Sequence, residues 1–222
     1  VLPVSSTLPD RIADAVGGGR WLRGYVRGKL RVDPVFEAGR AVVDRVGGPV
    51  VDLGCGLGLF GLWLRQHGSG AAYQGCDLSE WKILAGQNAA DRSGYGNFRL
   101  RAGDLSVFPL EGARVVCAFD VIHYLDHAKQ AELLARLAAA ARSGSMVLLR
   151  TGVRGCGWRS AVTRAEEWWT RASGWIRGGS INFPRLADLT ATFEAAGCRV
   201  EAKPLWGRTF FSSYWMEIGP RA

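Results

Sequence analysis

The nine residues Val50-Val51-Asp52-Leu53-Gly54-Cys55-Gly56-Leu57-Gly58 constrain this chain more than any other stretch. An apolar, β-branched run that favours a strand closes on a carboxylate and then breaks into three glycines at two-residue spacing. Glycine takes positive φ without a Cβ penalty and lets backbone approach a ligand closely. The apolar run Leu57 to Leu64 then starts a helix whose first N–H groups face whatever the loop holds. These features describe a nucleotide loop, and two nucleotides satisfy it. Gly56, Gly58 and Gly61 also match the dinucleotide pattern G-x-G-x-x-G, and Asp77 lies 21 residues beyond Gly56, near the place of a ribose-binding acid. The loop alone does not choose between them.

The rest of the composition narrows the setting. A chain of 222 residues with 48% hydrophobic content can bury one large core, so one domain with a subdomain insertion is expected. No apolar run reaches the length of a membrane span, and no basic segment followed by an apolar stretch opens the chain, so a cytoplasmic protein is expected. Five separated cysteines without a C-x-x-C pair argue against a zinc site or a disulfide framework, and no metal is expected. Cys55 stands apart, because a thiol in a glycine loop at a helix N-terminus is a candidate for a lowered pKa. The formal charge is +8, and residues 142–185 carry eight arginines against Glu166 and Glu167. Such a face suits an acidic partner or substrate, unless it is simply solvated.

Read in order, residues 1–32 are irregular apart from a weak helix over Pro9 to Val16, and suggest an arm or lid. Asp33-Pro34 supplies an N-cap and a first-turn proline to a helix carrying Val35, Val42, Val43 and Val46. Strands follow over residues 71–76, 98–102, 115–119 and 146–150, separated by helical patterns, the helix over Leu133 to Ala141 being capped by Asp126. Alternating strands and helices imply a parallel sheet with helices on both faces. The alternation stops at residues 151–183, which hold most of the arginine excess with Trp158, Trp168, Trp169 and Trp175, and read as a cap insertion over the carboxyl ends of the strands. A helix over 184–196 and two strands with no helix between them, 199–205 and 214–218, complete the core with an antiparallel pair. The expected units are an arm (1–33), a nucleotide-binding core (34–150), the cap (151–183) and the end of the core (184–222).

This pattern resembles the class I S-adenosylmethionine-dependent methyltransferases over about residues 34–222. The family's first motif is acidic-x-G-x-G-x-G, and Asp52-Leu53-Gly54-Cys55-Gly56-Leu57-Gly58 fits it throughout. The dinucleotide reading would leave Asp52 as an unpaired buried carboxylate, which is costly. The resemblance implies a Rossmann-like, seven-stranded, mainly parallel sheet with an antiparallel last strand. It also implies S-adenosylmethionine as cofactor, with S-adenosylhomocysteine as product. Asp52, Gly54, Cys55, Gly56 and Gly58 would then lie along the methionyl and ribose portion, Asp77 and Leu78 would meet the ribose, and Asp104 and Leu105 the adenine. Asp120 and the residues through Tyr124 would line the methyl-donor side.

Two subclasses can be compared with the chain. Methyltransferases acting on exocyclic base amines resemble one another in an acid or Asn followed by Pro-Pro-aromatic; here Asp120-Val121-Ile122-His123-Tyr124 stands instead, which argues against nucleic-acid amine methylation. A closer likeness is to small bacterial methyltransferases of aryl-polyene pigment pathways, carried by Arg27-Gly28-Lys29-Leu30-Arg31-Val32-Asp33-Pro34, Ile122-His123-Tyr124-Leu125, Arg150-Thr151, Phe183-Pro184 and Pro204-Leu205-Trp206-Gly207. It implies a small aromatic, phenolic acceptor, presented in one version on an acidic acyl carrier protein. A phenol is mostly protonated at neutral pH, so His123, which follows Asp120 on the ligand side, is the candidate base, or else it only positions the acceptor. Tyr124, Arg150, Trp158 and Trp175 are the candidate acceptor-binding residues. The competing functions are an RNA methyltransferase, an NAD-dependent reductase and a non-catalytic nucleotide-binding docking protein.

Overall fold

The structure is a computed structural model and describes residues 7–154, 182–206 and 212–221. Seven strands form one sheet: β1 (Val50–Leu53), β2 (Tyr73–Asp77), β3 (Phe98–Ala102), β4 (Val115–Phe119), β5 (Met146–Gly152), β6 (Cys198–Pro204) and β7 (Ser213–Pro220). Their order is β3-β2-β1-β4-β5-β7-β6. Strands β1 to β5 pair in parallel, and β7 runs antiparallel to both β5 and β6. That last strand separates this fold from the all-parallel dinucleotide sheet. The chain runs outward from β1 to β3 and then returns to β4, so its direction of travel reverses between β1 and β4. Ligands of open α/β sheets bind at the carboxyl ends of strands beside such a reversal.

Alternation along each strand divides the interior into two layers. Val50, Tyr73, Phe98, Val115, Cys117, Leu148 and Trp215 face one layer. This layer is covered by α1 (Leu8–Val16), α2 (Arg20–Val32), α3 (Val35–Val46), α4 (Leu59–Gln66) and α5 (Glu80–Arg92). Val51, Leu53, Val116, Val147, Leu149 and Met216 face the other, against α6 (His127–Arg142) and α7 (Leu186–Ala195). Both layers are apolar because a parallel strand covered on both faces leaves no residue for water. Helix α4 lies close on the sheet at Gly61, where a Cβ would come within 2.5 Å of the Tyr73 ring. The Asp126 cap is present, its Oδ1 accepting the Lys129 N–H at 2.8 Å.

Two readings of the sequence are corrected here. Residues 1–32 are not an irregular arm where the structure describes them, because α1 and α2 bury Ile12, Ala13, Val16, Val26 and Leu30 in the same cluster as the sheet. Three glycines, Gly17, Gly18 and Gly19, disguise them by separating two amphipathic helices too short to stand alone. Strand β5 also runs on to Gly152, two residues into the stretch read as the cap. Residues 155–181 of that stretch, with Trp158 and Trp175, lie outside the described residues.

The burial of α1 has a measurable consequence. Ile12 is 1% exposed, so Ile12→Ala should destabilise the protein by about 2–5 kcal/mol, the cost of a truncated core aliphatic. Urea denaturation checks this; an unchanged midpoint would return α1 to the status of an appended arm.

Candidate active site

The carboxyl ends of β1 to β4 each deliver an acid to one edge of the sheet. Strand register aligns them: Leu53 pairs with Cys76, Asp77 with Ala102 and Leu53 with Ala118. The Cys76 thiol reports their convergence. Burial first pushes it up to about 12, and a Gly54 backbone hydrogen bond works against that, while Asp52, Asp77 and Asp104 all add to the rise. The three carboxylates therefore act on one point.

Each acid has a distinct environment. Asp52 is 3% exposed and its Oδ2 accepts the Tyr73 hydroxyl across to β2. It is thus not unpaired, contrary to the expectation that weighed against a dinucleotide; the neighbouring strand supplies a neutral donor in a region the sequence shows only as apolar. Burial pushes its carboxyl up to about 7, the tyrosine hydrogen bond opposing and Asp77 assisting. Asp77 spends one lone pair of each oxygen on the loop, Oδ2 accepting Gly56 N–H at 2.9 Å and Oδ1 accepting Ser79 N–H at 2.8 Å. A carboxylate has about four acceptor positions, so Asp77 retains capacity for a vicinal diol while it pins the loop. Asp104 accepts the Ser106 N–H at 2.8 Å, which holds it below the usual carboxylate range. Leu78, 62% exposed, follows Asp77 as an apolar surface just past the end of β2. Half-buried Leu105, past Asp104, has its carbonyl fixed by Arg136 at 2.7 Å.

The glycines divide the loop's labour. Gly54, at φ 73°, would place a Cβ 2.1 Å from Val121 Cγ1, so it allows the loop to pass under the end of β4. Gly56, at φ 55°, would place a Cβ that, among the described residues, has only Asp77 Oδ2 near, at 4.0 Å. Its Cα side is therefore the least filled of the three. Gly58 opens α4 at φ 65° with Leu100 beneath it. Cys55 lies in this loop, but the expectation of a lowered pKa fails: burial, then Asp52 and Asp77, push its thiol well up.

Arg150 also takes a different place from the one expected. Its side chain is buried and holds two carboxylates, Asp33 between α2 and α3 and Asp120 after β4. Nη2 meets Asp33 Oδ2 at 2.9 Å and Nε meets Asp120 Oδ1 at 3.1 Å, and Nη1 and Nη2 complete both pairs with the other oxygens. Lys29 reaches Asp33 Oδ2 at 3.1 Å. Asp120 has φ 56°, a conformation that costs a non-glycine residue energy and persists only where its surroundings hold it. The Arg150 guanidinium does so, together with the Asp120 N–H donated to the Arg150 carbonyl at 2.8 Å. Arg150 is thus a positioning residue. Asp33, read as an N-cap, instead precedes a helix whose cap is Pro34, though it still accepts the Val35 N–H at 3.1 Å.

His123 lies in a single 3₁₀ turn, Ile122–Tyr124, directly after Asp120. It is 5% exposed, and burial lowers it to about 4, Asp120 opposing this in part and Arg150 adding to it. Its ring stacks on Phe183 at 5.3 Å and tilts against Tyr124 at 4.2 Å, and Nδ1 is 3.2 Å from Thr151 Oγ1. Buried Gln130 on α6 donates to the Ile122 carbonyl at 3.0 Å and to the Asn182 carbonyl at 2.7 Å, and Asn182 N–H donates to the His123 carbonyl at 2.8 Å. Tyr73, Asp33, Gln130, Thr151 and Asn182 were not among the sequence-derived site residues. Only Asp33 and Thr151 carried a signal, as members of the subgroup likeness.

The strand order, the acid-ended glycine loop and the acids at successive strand ends define the class I S-adenosylmethionine-dependent methyltransferase fold. A family model described as a methyltransferase domain matches residues 24–203, and the chain belongs to that family. Among solved structures it is similar to the magnesium protoporphyrin IX methyltransferase of Synechocystis PCC 6803 with bound S-adenosylhomocysteine, at 20% identity over 95% of this chain and 93% of that one, TM-score 0.65. It is also similar to the mitomycin 7-O-methyltransferase, at 20% identity over 91% of this chain and 57% of that one, TM-score 0.66. A third is an O-methyltransferase of neocarzinostatin biosynthesis solved with S-adenosylmethionine and 2-hydroxy-5-methyl naphthoic acid, at 22% identity over 87% of this chain and 55% of that one, TM-score 0.62. The chain spans little more than half the length of those last two. No curated protein matches it by sequence. No helix among the described residues is long and apolar enough to cross a membrane.

Two predictions follow from this geometry. Gly54→Ala should lower stability by about 2–5 kcal/mol, combining left-handed strain with overpacking against Val121, whereas Gly56→Ala should cost only about 1–2 kcal/mol and express its defect in nucleotide affinity; thermal melts with and without nucleotide separate the two. Burial alone would push Asp33 up, but Arg150 and Lys29 overcome it and hold the carboxyl at about 2. A depressed carboxyl contributes stability above its unfolded pKa that is lost as pH falls through the folded one, so Asp33→Asn should flatten acid unfolding between about pH 4 and 2. At neutral pH the same change should cost about 3–5 kcal/mol, and an unchanged acid limb would show the network to be stability-neutral.

Proposed function

We propose that the chain transfers a methyl group from S-adenosylmethionine to the hydroxyl of a small, neutral aromatic acceptor. The observation that carries this reading is the described wall beyond Asp120. It consists of His123, Tyr124 and Phe183, with buried Thr151 behind His123, and Arg150, a buried cation beside it among the described residues, is already balanced by Asp33 and Asp120. An aromatic ring packs on such a wall, and an anionic acceptor gains nothing there.

The residues present fit the donor. Gly56 leaves space for backbone contact beside Asp77, Asp77 keeps acceptor capacity for a ribose diol, and Leu78 offers an apolar face to a base. Asp52 Oδ1 accepts no hydrogen bond from the described residues, and the carboxyl's raised pKa marks a site that gains from a nearby cation. S-Adenosylmethionine supplies an electrophilic methyl group on a sulfonium, so displacement needs alignment and exclusion of water more than covalent help. Asp52 and the glycine loop hold the donor end, while His123, kept neutral at physiological pH, accepts a hydrogen bond from the acceptor hydroxyl and aligns its oxygen. With its pKa at about 4 it is a weak base, so positioning is its main contribution.

The acceptor's presentation on an acidic acyl carrier protein, in a pathway of the aryl-polyene kind, is part of the same proposal. It is supported by the arginine surplus over residues 142–185 and by the subgroup residues that meet around Arg150.

Calorimetry tests the donor half. Asp77→Ala should weaken S-adenosylhomocysteine binding by about 100-fold. Because Asp52 titrates near 7, S-adenosylmethionine affinity should rise by up to about tenfold per pH unit below 7 and level off above it, while S-adenosylhomocysteine, lacking the sulfonium charge, should show little of this. Identical pH profiles for both ligands would move Asp52 away from the sulfonium. Transfer of labelled methyl to a panel of simple phenols, against anilines and benzoates, tests the acceptor half.

A further inference from the structure

Two buried side chains adjacent on β5 hold the segment after β4 from opposite faces of the sheet: Arg150 takes Asp120, and Thr151 takes His123. The first contact is an ion pair whose proton positions are fixed by charge. The second is not, because either partner can donate. A neutral imidazole carries one N–H on Nδ1 or on Nε2, and a threonine hydroxyl carries one proton with acceptor capacity to spare.

The surroundings of Thr151 decide the direction. Its Oγ1 donates to the Gly152 carbonyl at 3.0 Å, and that carbonyl has no proton to return. With its one hydrogen so placed, Oγ1 meets His123 Nδ1, at 3.2 Å, only as an acceptor. We propose that Thr151 is a positioning residue that fixes His123 as the Nδ1–H tautomer and makes Nε2 the hydrogen-bond acceptor toward the methyl acceptor. This rests on the reading of His123 given above, and it names the residue that selects which nitrogen can serve.

Three features favour the assignment. The ring cannot turn over freely, since it is packed between Tyr124 and Phe183 and its backbone is tied at both the Ile122 and His123 carbonyls. Thr151 is fully buried, so water does not compete for its hydroxyl. Burial also keeps the imidazole neutral through the physiological range, so a tautomer exists to be selected. Free histidine side chains prefer the Nε2–H form, so the tautomer imposed here is the one solution does not favour. An acceptor hydroxyl needs a bare nitrogen to donate to. A histidine with its proton on Nε2 would present a second donor instead and leave the hydroxyl proton in place.

The test uses ¹⁵N-histidine-labelled full-length protein and long-range ¹H–¹⁵N correlation, which distinguishes a protonated from a bare ring nitrogen without substrate or cofactor. In the native protein His123 should show protonated Nδ1 and bare Nε2 between pH 6 and 8; the reverse pattern overturns the proposal. Thr151→Val should change the tautomer ratio by about tenfold toward Nε2–H, the weight of one hydrogen bond, and Thr151→Ser should restore the native pattern. A valine variant with an unchanged tautomer, or a serine variant that behaves as valine does, overturns it. Should the valine variant fail to fold, the native and serine spectra still decide. Turnover then separates the two layers of the argument: Thr151→Val should lower kcat with the KM for S-adenosylmethionine unchanged, whereas a native Nδ1–H pattern combined with full activity in His123→Asn would retain the tautomer assignment and refute the role given to His123.

Discussion

The buried ion pairs of Arg150 hold the functional edge of this sheet together. A charge taken out of water costs several kcal/mol unless it is matched, and here one guanidinium is matched twice, by Asp33 and Asp120. Its planar fork suits two carboxylates at once in a way that an ammonium does not. Asp33 belongs to the junction of two helices covering the sheet, and Asp120 to the strand end beside the glycine loop. The guanidinium therefore transmits the position of the outer layer to the reacting edge. It also stabilises a left-handed residue that would otherwise relax, and the 3₁₀ turn bearing His123 begins where that residue ends.

The acids at the strand ends look alike in sequence and do different work. Asp77 is tied by two backbone N–H groups, so its geometry is fixed and its remaining lone pairs are directed. Asp52 has one neutral partner and almost no solvent, so its charge is costly until a cation arrives. A rigid carboxylate with lone pairs to spare suits neutral hydroxyls, whereas a carboxylate near its titration point distinguishes a charged ligand from its uncharged counterpart. The difference arises from which strand each acid ends and what the next strand contributes. Tyr73 rises from the start of β2 to cap Asp52, while the loop folds back over Asp77.

Much of this was legible in the sequence because it is local. The acid-ended glycine loop, the strand-end acids and the Asp126 cap each follow from neighbours within a few positions, and the alternation of strands and helices gives the sheet by rules of handedness and layering. The antiparallel last pair was readable from a missing helix. What escaped depends on distant partners. The separation of Asp33 from Arg150 is 117 residues, so the same Asp-Pro pair that signals a helix cap gives no hint of the guanidinium it meets. Of the two short helices before it, α1 showed only as a weak pattern and α2 did not show, because their stability comes from packing, α1 on α2, α4 and α5 and α2 on α1, rather than from their own propensity. Cys55 misled for the opposite reason: its local setting suggests activation, but nearby acids and burial govern the thiol.

His123 shows how far the same reasoning extends into chemistry. A histidine beside a carboxylate, read in sequence, suggests a general base, and Asp120 does raise its pKa. Burial exceeds that effect, and the Asp120 charge is partly consumed by Arg150, which itself disfavours an imidazolium. Against the phenol proposed as acceptor, near 10, a base at about 4 is far too weak to take the proton before the methyl group moves. In an in-line transfer the oxygen becomes strongly acidic only as the new bond forms, and from then on even a weak, well-placed nitrogen suffices to receive the proton. The low pKa is thus compatible with catalysis that depends on direction and timing rather than on base strength, provided that the nitrogen facing the oxygen is the one without a hydrogen.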